Sequence, residues 1–486
     1  FYVPSRLVCD DWQKVFGENT ESPWANTKEY EVPKLSSDLA NRKVSSRSVA
    51  DYLGIDVGTI PANVDITLIP FRGFAKVWDD WFRDQNNVSP MHIQKGAATS
   101  SEVFNDNAWS PANYMGKLPK VAKMHDYFTS CLPAPQKGDA VPVQIITGDI
   151  PVTTKSDESA TTSVNKTGYN VSLKAAGNLN GVSVGNWYNL GVYGALGGGG
   201  YVFPDISKSV VAGASNSGVF YPDNLVAVAG SSNTTFNVND LRLAFQMQKM
   251  LERDARGGTR YVEYLLSHFG VSAGDTRLQR SEFLGGKRTP LNINQVTQTS
   301  SSTSPDYEAV LGEQGAYSLS FARARSTKGF VEHGFVFGVC CIRQFHTYQQ
   351  GVERFWTRTK RTDFYDPVFA NIGEQPVYKS EIFAGAGKVP FGYNEAWADL
   401  RYRPNKVTGQ MRSAATSSLD VWHLADNYTN APTLNEQFIQ ETPVYLDRAL
   451  TIAHDLQDQF ILDFYVQNIA YRELPTYSIP SLIDHN

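Results

Sequence analysis

The sequence has little cysteine and little charge. Its 486 residues include 4 cysteines, Cys9, Cys131, Cys340 and Cys341. Their spacing matches neither a Cys-x-x-Cys metal motif nor a disulfide framework, so we expect free thiols and a reducing cytoplasm. We place Cys340 and Cys341 in a buried strand, because their neighbours are apolar.

Charged residues make up only 19% of the chain, and the formal net charge is -5. This balance excludes a uniformly basic clamp for nucleic acid but allows a local basic face. The sequence also lacks a run of 18 apolar residues and a basic-then-apolar signal peptide. We therefore expect neither a membrane span nor secretion.

Recognisable catalytic motifs are missing as well. The tract Gly197, Gly198, Gly199, Gly200 is not followed by the Lys-Ser/Thr pair of a phosphate-binding loop, and Gly285-Gly-Lys-Arg-Thr289 has the wrong glycine spacing. The histidines His333, His346, His423 and His454 show no zinc-site spacing and are predicted to be structural. We predict no catalytic residue, no metal and no cofactor.

Aromatic residues are plentiful, at 12% of the chain. Together with the β-branched residues they favour a mainly β structure with large buried interfaces. Strands are predicted at 1–3, 64–69 and 139–146. Each of the segments 330–342, 375–382, 400–404 and 459–469 is predicted to be a strand or to contain one. Widely spaced strands with long connections favour a jelly roll over a doubly wound fold.

Helical spacing of apolar residues occurs in two places. At 71–85, an aromatic stripe that includes Trp78 and Trp81 predicts an amphipathic helix packed on a sheet. Further on, Asn239 or Asp240 is expected to cap a helix that ends at Gly257. A second helix is predicted at Tyr261–Phe269, with Gly270 as its stop.

Residues 175–239 contain only three charged residues, Asp205, Lys208 and Asp223. The segment is rich in Gly, Ser, Asn and Val, yet it contains more aromatic residues than a disordered linker would. We predict an ordered insertion whose uncharged surface makes an oligomeric contact or recognises a host. The residues assigned to that contact are Tyr193, Tyr201, Phe203 and the tract Gly197 to Gly200.

A basic run interleaved with aromatic residues begins at Arg354. Its candidate contacts are Arg354, Trp356, Arg358, Lys360 and Arg361, because cations bind phosphates and aromatic rings stack on bases. DNA contact is one interpretation of the run. A solvated or interfacial basic loop is the other.

Short motifs spread over the whole chain make it resemble the major capsid proteins of gokushoviruses, a branch of the Microviridae. These motifs are Phe1-Tyr-Val-Pro-Ser-Arg-Leu7, Trp81-Phe-Arg-Asp-Gln85, Gly285-Gly-Lys-Arg-Thr-Pro290, Thr347-Tyr-Gln-Gln-Gly351, Asp363-Phe-Tyr365, Gly373-Glu-Gln375, Phe391-Gly-Tyr393, Ser418-Leu-Asp-Val-Trp-His-Leu424 and Tyr477-Ser-Ile-Pro-Ser-Leu-Ile-Asp-His485.

The resemblance implies an eight-stranded antiparallel viral jelly-roll barrel with long loop and helical insertions. It also implies a homo-oligomer, a T=1 icosahedral shell that is assembled in the bacterial host cytoplasm around a circular single-stranded DNA phage genome. Expected partners are a small basic DNA-binding phage protein and a bacterial surface receptor. Relatives carry a further stretch before the Phe-Tyr-Val-Pro motif, so we expect the amino terminus to be processed, disordered or missing here.

The predicted division is a first part of the core at 1–149, an insertion at 150–239 that forms a three-fold protrusion, and a helical return with the rest of the core at 240–486. Two alternatives of other classes stay open at this point. A jelly-roll module that binds glycans would share the aromatic surface. A glycosidase would need two carboxyl groups from separate elements, which the sequence does not exclude.

Overall fold

A computed structural model describes residues 1–15, 30–98, 102–139, 152–154, 171–176, 187–190, 219–222, 225–227, 238–258, 260–271, 279–304 and 307–472. The chain divides into two compact units. One comprises Phe1–Gly138 together with Leu251–Asn486, and the other is Asp139–Met250.

The strands in chain order are β1 (Tyr2–Pro4), β2 (Lys43–Val44), β3 (Gly58–Thr59), β4 (Val152–Thr154), β5 (Val171–Ala176), β6 (Trp187–Leu190), β7 (Val219–Pro222), β8 (Leu225–Ala227), β9 (Ile293–Thr297), β10 (Ser302–Ser304), β11 (Tyr307–Ala309), β12 (Gln314–Ser318), β13 (Gly334–Val336), β14 (Glu374–Tyr378) and β15 (Pro390–Glu395). The α-helices are α1 (Trp12–Val15), α2 (Val49–Tyr52), α3 (Ile69–Trp81), α4 (Val238–Gly257), α5 (Tyr261–Phe269), α6 (Lys379–Ile382) and α7 (Glu436–Ile439).

All strand pairs in the described residues are antiparallel, and the sheets are small. In the larger unit, β1 pairs with β13, β2 with β3, β9 with β12, β10 with β11, and β14 with β15. In the smaller unit β4 pairs with β8, while β5 lies between β6 and β7. The described strands therefore form small sheets and close no barrel.

Helix α3 begins where the sequence predicts a strand to end. The strand predicted at 64–69 is wrong, since only Thr67 makes an isolated bridge, to Lys34, and Ile69 already belongs to the helix. Pro70 lies in the first helical turn, where a missing N–H costs no hydrogen bond and the fixed φ suits a helix. The helix predicted at 71–85 is confirmed with shifted ends.

Two hydrophobic cores meet on α3. Phe71 and Trp78 contribute to a core formed with loops of residues 35–115, and Val77 contributes to a second core with Val3 and Phe337. The predicted stripe is therefore buried at Val77 and Trp78 and partly buried at Trp81. Loops supply most of its partners, and the sheet of β1 and β13 supplies only a part. A third core forms around Phe128, Val377, Ile382, Phe391 and Phe438.

The second helical region follows its prediction closely. Helix α5 has the predicted bounds, and Gly270 ends it in the left-handed conformation with φ 69°. Helix α4 ends at Gly257, as expected, but it begins at Val238. Asn239 and Asp240 thus lie inside the helix, so the predicted cap is wrong.

Several predicted strands need correction. The predictions for 330–342 and 375–382 are confirmed in part, since the first segment contains β13 and the second contains the end of β14 before α6 begins at Lys379. Residues 400–404 and 459–469 form no strand. Cys340 and Cys341 lie outside β13 and are exposed, whereas Cys9 and Cys131 are buried. The strand predicted at 139–146 lies almost entirely outside the described residues.

Gly351 lies where two chain segments approach closely. A Cβ atom at this position would clash with the carbonyl oxygen of Glu381. We expect Gly351→Ala to lower the free energy of unfolding by about 1–3 kcal/mol, because the backbone at Glu381 must move to admit the methyl group. Chemical denaturation of the full chain measures this loss.

Gly329→Ala is the matched control, because a Cβ at Gly329 meets no atom within 4 Å. Both substitutions remove the same backbone freedom from the unfolded chain, so their difference isolates the clash. Equal stability of the two variants would contradict the prediction.

Candidate interaction surface

A buried polar network joins four segments of the larger unit at His346. The ring Nδ1 lies 2.9 Å from Asp426 Oδ1, and Nε2 lies 3.1 Å from Glu441 Oε2. Lys123 Nζ lies 3.5 Å from the other oxygen of Asp426, to which Tyr428 also donates a hydrogen bond of 2.7 Å. Two cations and two carboxylates thus balance each other in this buried network.

The protonation of His346 follows from these contacts. Burial disfavours the charged ring, but the hydrogen bonds to Asp426 and Glu441 outweigh burial and raise the pKa of His346 above its ordinary value. Burial alone would raise the pKa of Asp426, because it disfavours the charged carboxylate. The contacts with His346 and Lys123 outweigh burial and hold the pKa of Asp426 below its ordinary value. The network is therefore an ionic link inside the fold.

The basic run at 354–361 offers fewer free cations than its sequence predicts. Arg358 is largely buried and paired with Asp399, and the Arg354 guanidinium lies 5.4 Å from the centroid of the Tyr378 ring. Lys360 and Arg361 are exposed, and the Trp356 side chain is 70% exposed. The structure thus places Trp356, Lys360 and Arg361 where they can contact a partner.

The segment 456–471 exposes many large apolar side chains. It forms no helix or strand, and Ile461 is fully exposed while Tyr465 is 88% exposed. The other exposed members of the segment are Leu456, Phe460, Leu462, Phe464, Val466, Ile469 and Tyr471. A group of exposed large apolar side chains of this kind is typical of a protein interaction site.

The insertion residues Tyr193, Tyr201, Phe203 and Gly197 to Gly200 lie outside the described residues. Their assignment to a three-fold or host contact therefore stays a prediction.

The described residues contain neither a candidate metal site nor a candidate membrane span. No group of three or more His, Cys, Asp or Glu side chains in this part of the chain has an arrangement that could hold a metal ion. No described helix is both long enough and apolar enough to cross a bilayer.

Sequence comparison defines the class of protein. A family described as "Capsid protein (F protein)" matches residues 1–482. The chain therefore belongs to this family of phage capsid proteins, and its resemblance to the gokushoviruses of the Microviridae is confirmed.

Three curated relatives carry the name "Capsid protein VP1". The relative from Spiroplasma virus 4 is 38% identical, and the alignment covers 99% of this chain and 84% of the relative. Those from Chlamydia phage 1 and Bdellovibrio phage phiMH2K are each 36% identical, with 99% of this chain and 85% and 84% of the relatives covered.

The His346 network was not predicted from the sequence, because its carboxylates lie 80 and 95 residues away along the chain. The sequence predicts a strand at 459–469, within the exposed segment 456–471, but it does not predict that the segment is exposed. The apolar side chains of 460–466, unbroken except for Asp463, were the available signal.

The ionic link at His346 predicts a pH dependence of stability. A folded pKa raised above the ordinary value of 6.5 contributes stability that is complete below that value and is lost as the pH rises through the folded pKa. The free energy of unfolding of the wild type, relative to His346→Gln, should fall by about 1.4 kcal/mol per pH unit within this window.

Urea unfolding from pH 5 to pH 9 measures the effect. His92→Gln, at an exposed histidine, is the matched control. A stability difference between wild type and His346→Gln that stays constant across this range would contradict the prediction.

Proposed function

We propose that this protein is the subunit of a T=1 icosahedral shell that encloses a circular single-stranded DNA phage genome. It acts by association and has no enzymatic role. The observation that supports this function most directly is the exposed apolar segment 456–471, in a chain whose relatives are capsid proteins. A shell buries such surface between subunits, whereas a monomer would leave it in water.

The proposed fold is the eight-stranded jelly roll of viral capsids. The antiparallel pairing of every described strand supports this fold. The strand-forming composition of 459–469, without a partner in the described chain, also supports it, because apolar residues with high β propensity favour a sheet once a second strand is available.

Assembly follows from many weak contacts. Each subunit binds several neighbours, and closure of the symmetric shell makes the contacts collectively stable. We further propose that the protein resides in the virion after assembly in the host cytoplasm. Its proposed partners are the small basic DNA-binding phage protein, the genome and a bacterial surface receptor.

Trp356, Lys360 and Arg361 are proposed as contacts to DNA or to a neighbouring subunit. Arg354 and Arg358 would support the same loop through their contacts with Tyr378 and Asp399.

The segment 456–471 is tested by adding charge to its apolar face. The double variant Ile461→Asp and Tyr465→Asp should reduce the yield of particles at least tenfold, because burying two carboxylates in a subunit contact is costly. Both side chains are exposed, so the unassembled subunit should fold as the wild type does. Negative-stain microscopy and size-exclusion chromatography of the purified protein measure particle yield.

Asn468→Asp is the matched control, because it adds a carboxylate to the same exposed segment without removing apolar surface. Particle yield close to wild type is expected for this variant. If the double variant also assembles normally, the segment is not a subunit contact. Wild-type protein that forms only small oligomers, even with genome and the basic partner protein present, would overturn the shell itself.

The insertion is tested separately. Substituting Tyr193, Tyr201 and Phe203 together by Ala should impair host attachment or three-fold packing, because aromatic side chains dominate the energy of protein contacts. Attachment of particles to host cells and particle yield are measured side by side. Unchanged infectivity and yield would remove the insertion from both roles.

A further inference from the structure

Two chain segments, 282–297 and 314–328, run antiparallel as the legs of one long hairpin. Strand β9 pairs with β12, with Ile293 opposite Ser318. The legs continue side by side beyond this ladder, since Asn292 N donates a hydrogen bond to Ser320 Oγ. A region without regular pairing then follows.

Contacts farther along the hairpin keep nearly the same register. A Cβ at Gly285 would lie 3.2 Å from the carbonyl oxygen of Arg325, and Lys328 forms an ion pair with Glu282. Relative to the ladder of β9 and β12, the pairing of the two legs is therefore displaced by only one residue at their far ends. Continued across the region without regular pairing, this register predicts that Lys287 lies opposite Arg323.

Three large exposed side chains of the second leg occupy alternate positions. Residues 319–330 contain no helix or turn and are exposed throughout, and positions 321, 323 and 325 alternate with two alanines. Phe321, Arg323 and Arg325 alternate in this way and are all exposed. The Phe321 side chain is 81% exposed. An aromatic ring and two guanidinium groups are thus exposed close together in the sequence.

The legs carry an excess of positive charge. No Asp or Glu occurs at 283–304 or 314–331, although the chain as a whole has a net charge of -5. Lys328 is neutralised by Glu282, and the Arg288 guanidinium lies 4.7 Å from the centroid of the Phe345 ring. The remaining cations, Lys287, Arg323 and Arg325, have no ion pair within the described residues.

We propose that this hairpin face, formed by Lys287, Phe321, Arg323 and Arg325, binds single-stranded DNA. The three cations bind backbone phosphates, and the ring of Phe321 stacks on a base. An acidic protein would also neutralise the cations, but single-stranded DNA supplies a flat base beside every phosphate and so matches both the cations and the ring. In a base-paired duplex the bases stack on one another, so their flat faces are closed to Phe321.

The inference rests on the proposed function, because it names the surface that meets the enclosed genome. It also differs from the interpretation of the 354–361 run. There, one arginine is paired with a carboxylate and another stacks on a tyrosine, whereas here all three cations keep their charge free for phosphates.

The test measures binding of a fluorescein-labelled oligo(dT) of about 30 nucleotides to the unassembled full chain by fluorescence anisotropy. The triple variant Lys287→Gln, Arg323→Gln and Arg325→Gln should bind about tenfold or more weakly at low salt. The slope of log affinity against log salt should decrease by about 2, because each phosphate contact on a single strand contributes about 0.7. Phe321→Leu should weaken binding about fivefold or more while leaving the salt slope unchanged.

The matched control is Lys43→Gln, Lys388→Gln and Arg403→Gln, which removes the same charge from exposed positions elsewhere. If the two triple variants bind alike, or if the wild type binds no oligo(dT), the inference is wrong. Variants that bind less should still show the wild-type circular dichroism spectrum and unfolding midpoint.

Microscopy of the same preparations distinguishes failure of the DNA-binding proposal from failure of the shell proposal. Shells that form normally while the hairpin variant binds DNA like the control would overturn this inference alone. Oligo(dT) binding that depends on the hairpin, in a protein that never assembles, would overturn the shell and leave the DNA surface in place.

Discussion

The fold of the larger unit depends on one buried ion pair on helix α3. Arg72 Nε and Nη2 donate hydrogen bonds of 2.7 and 2.8 Å to the two carboxylate oxygens of Glu102. Both side chains are fully buried, and Tyr114 donates a further hydrogen bond to Glu102. Removing either partner would leave a charge without water or a counterion, a loss of about 3–5 kcal/mol.

The same guanidinium also organises the backbone around the helix. Its Nη1 donates hydrogen bonds to the carbonyl oxygens of Val8 and Gly96. Arg72 therefore connects the amino-terminal segment, the helix and the loop that carries Glu102 at the place where the two cores on α3 meet. Loops replace a sheet as the main partners of the helix because these polar contacts satisfy their backbone groups.

Local signals in the sequence located the long helices α3, α4 and α5 better than they located the strands. The bounds of α5 follow from its apolar spacing and from Gly270, which are properties of adjacent residues. Pro70 misled the prediction because proline can both end a strand and begin a helix. Residues 459–469 have strand-forming composition, but a strand also needs a partner, and the partner is not encoded locally.

The interaction surface shows the same division. The sequence identified the basic run at 354–361, but only the fold reveals that Asp399 neutralises Arg358. The hairpin face was not predicted from the sequence, because its cations belong to two separate segments of the chain. Lys287 and Arg323 are far apart in sequence, and only the register of the two antiparallel legs predicts that they face each other.

Pairing of β1 with β13 has a consequence for the order of events during synthesis. The Tyr2 hydroxyl donates a hydrogen bond to the carbonyl oxygen of Glu332, 330 residues later in the chain. At about 5–20 residues per second, a ribosome would need roughly 15–70 seconds to supply that partner. During this interval the first strand has an open edge, and the nascent chain must be kept from pairing with its neighbours on the same polysome.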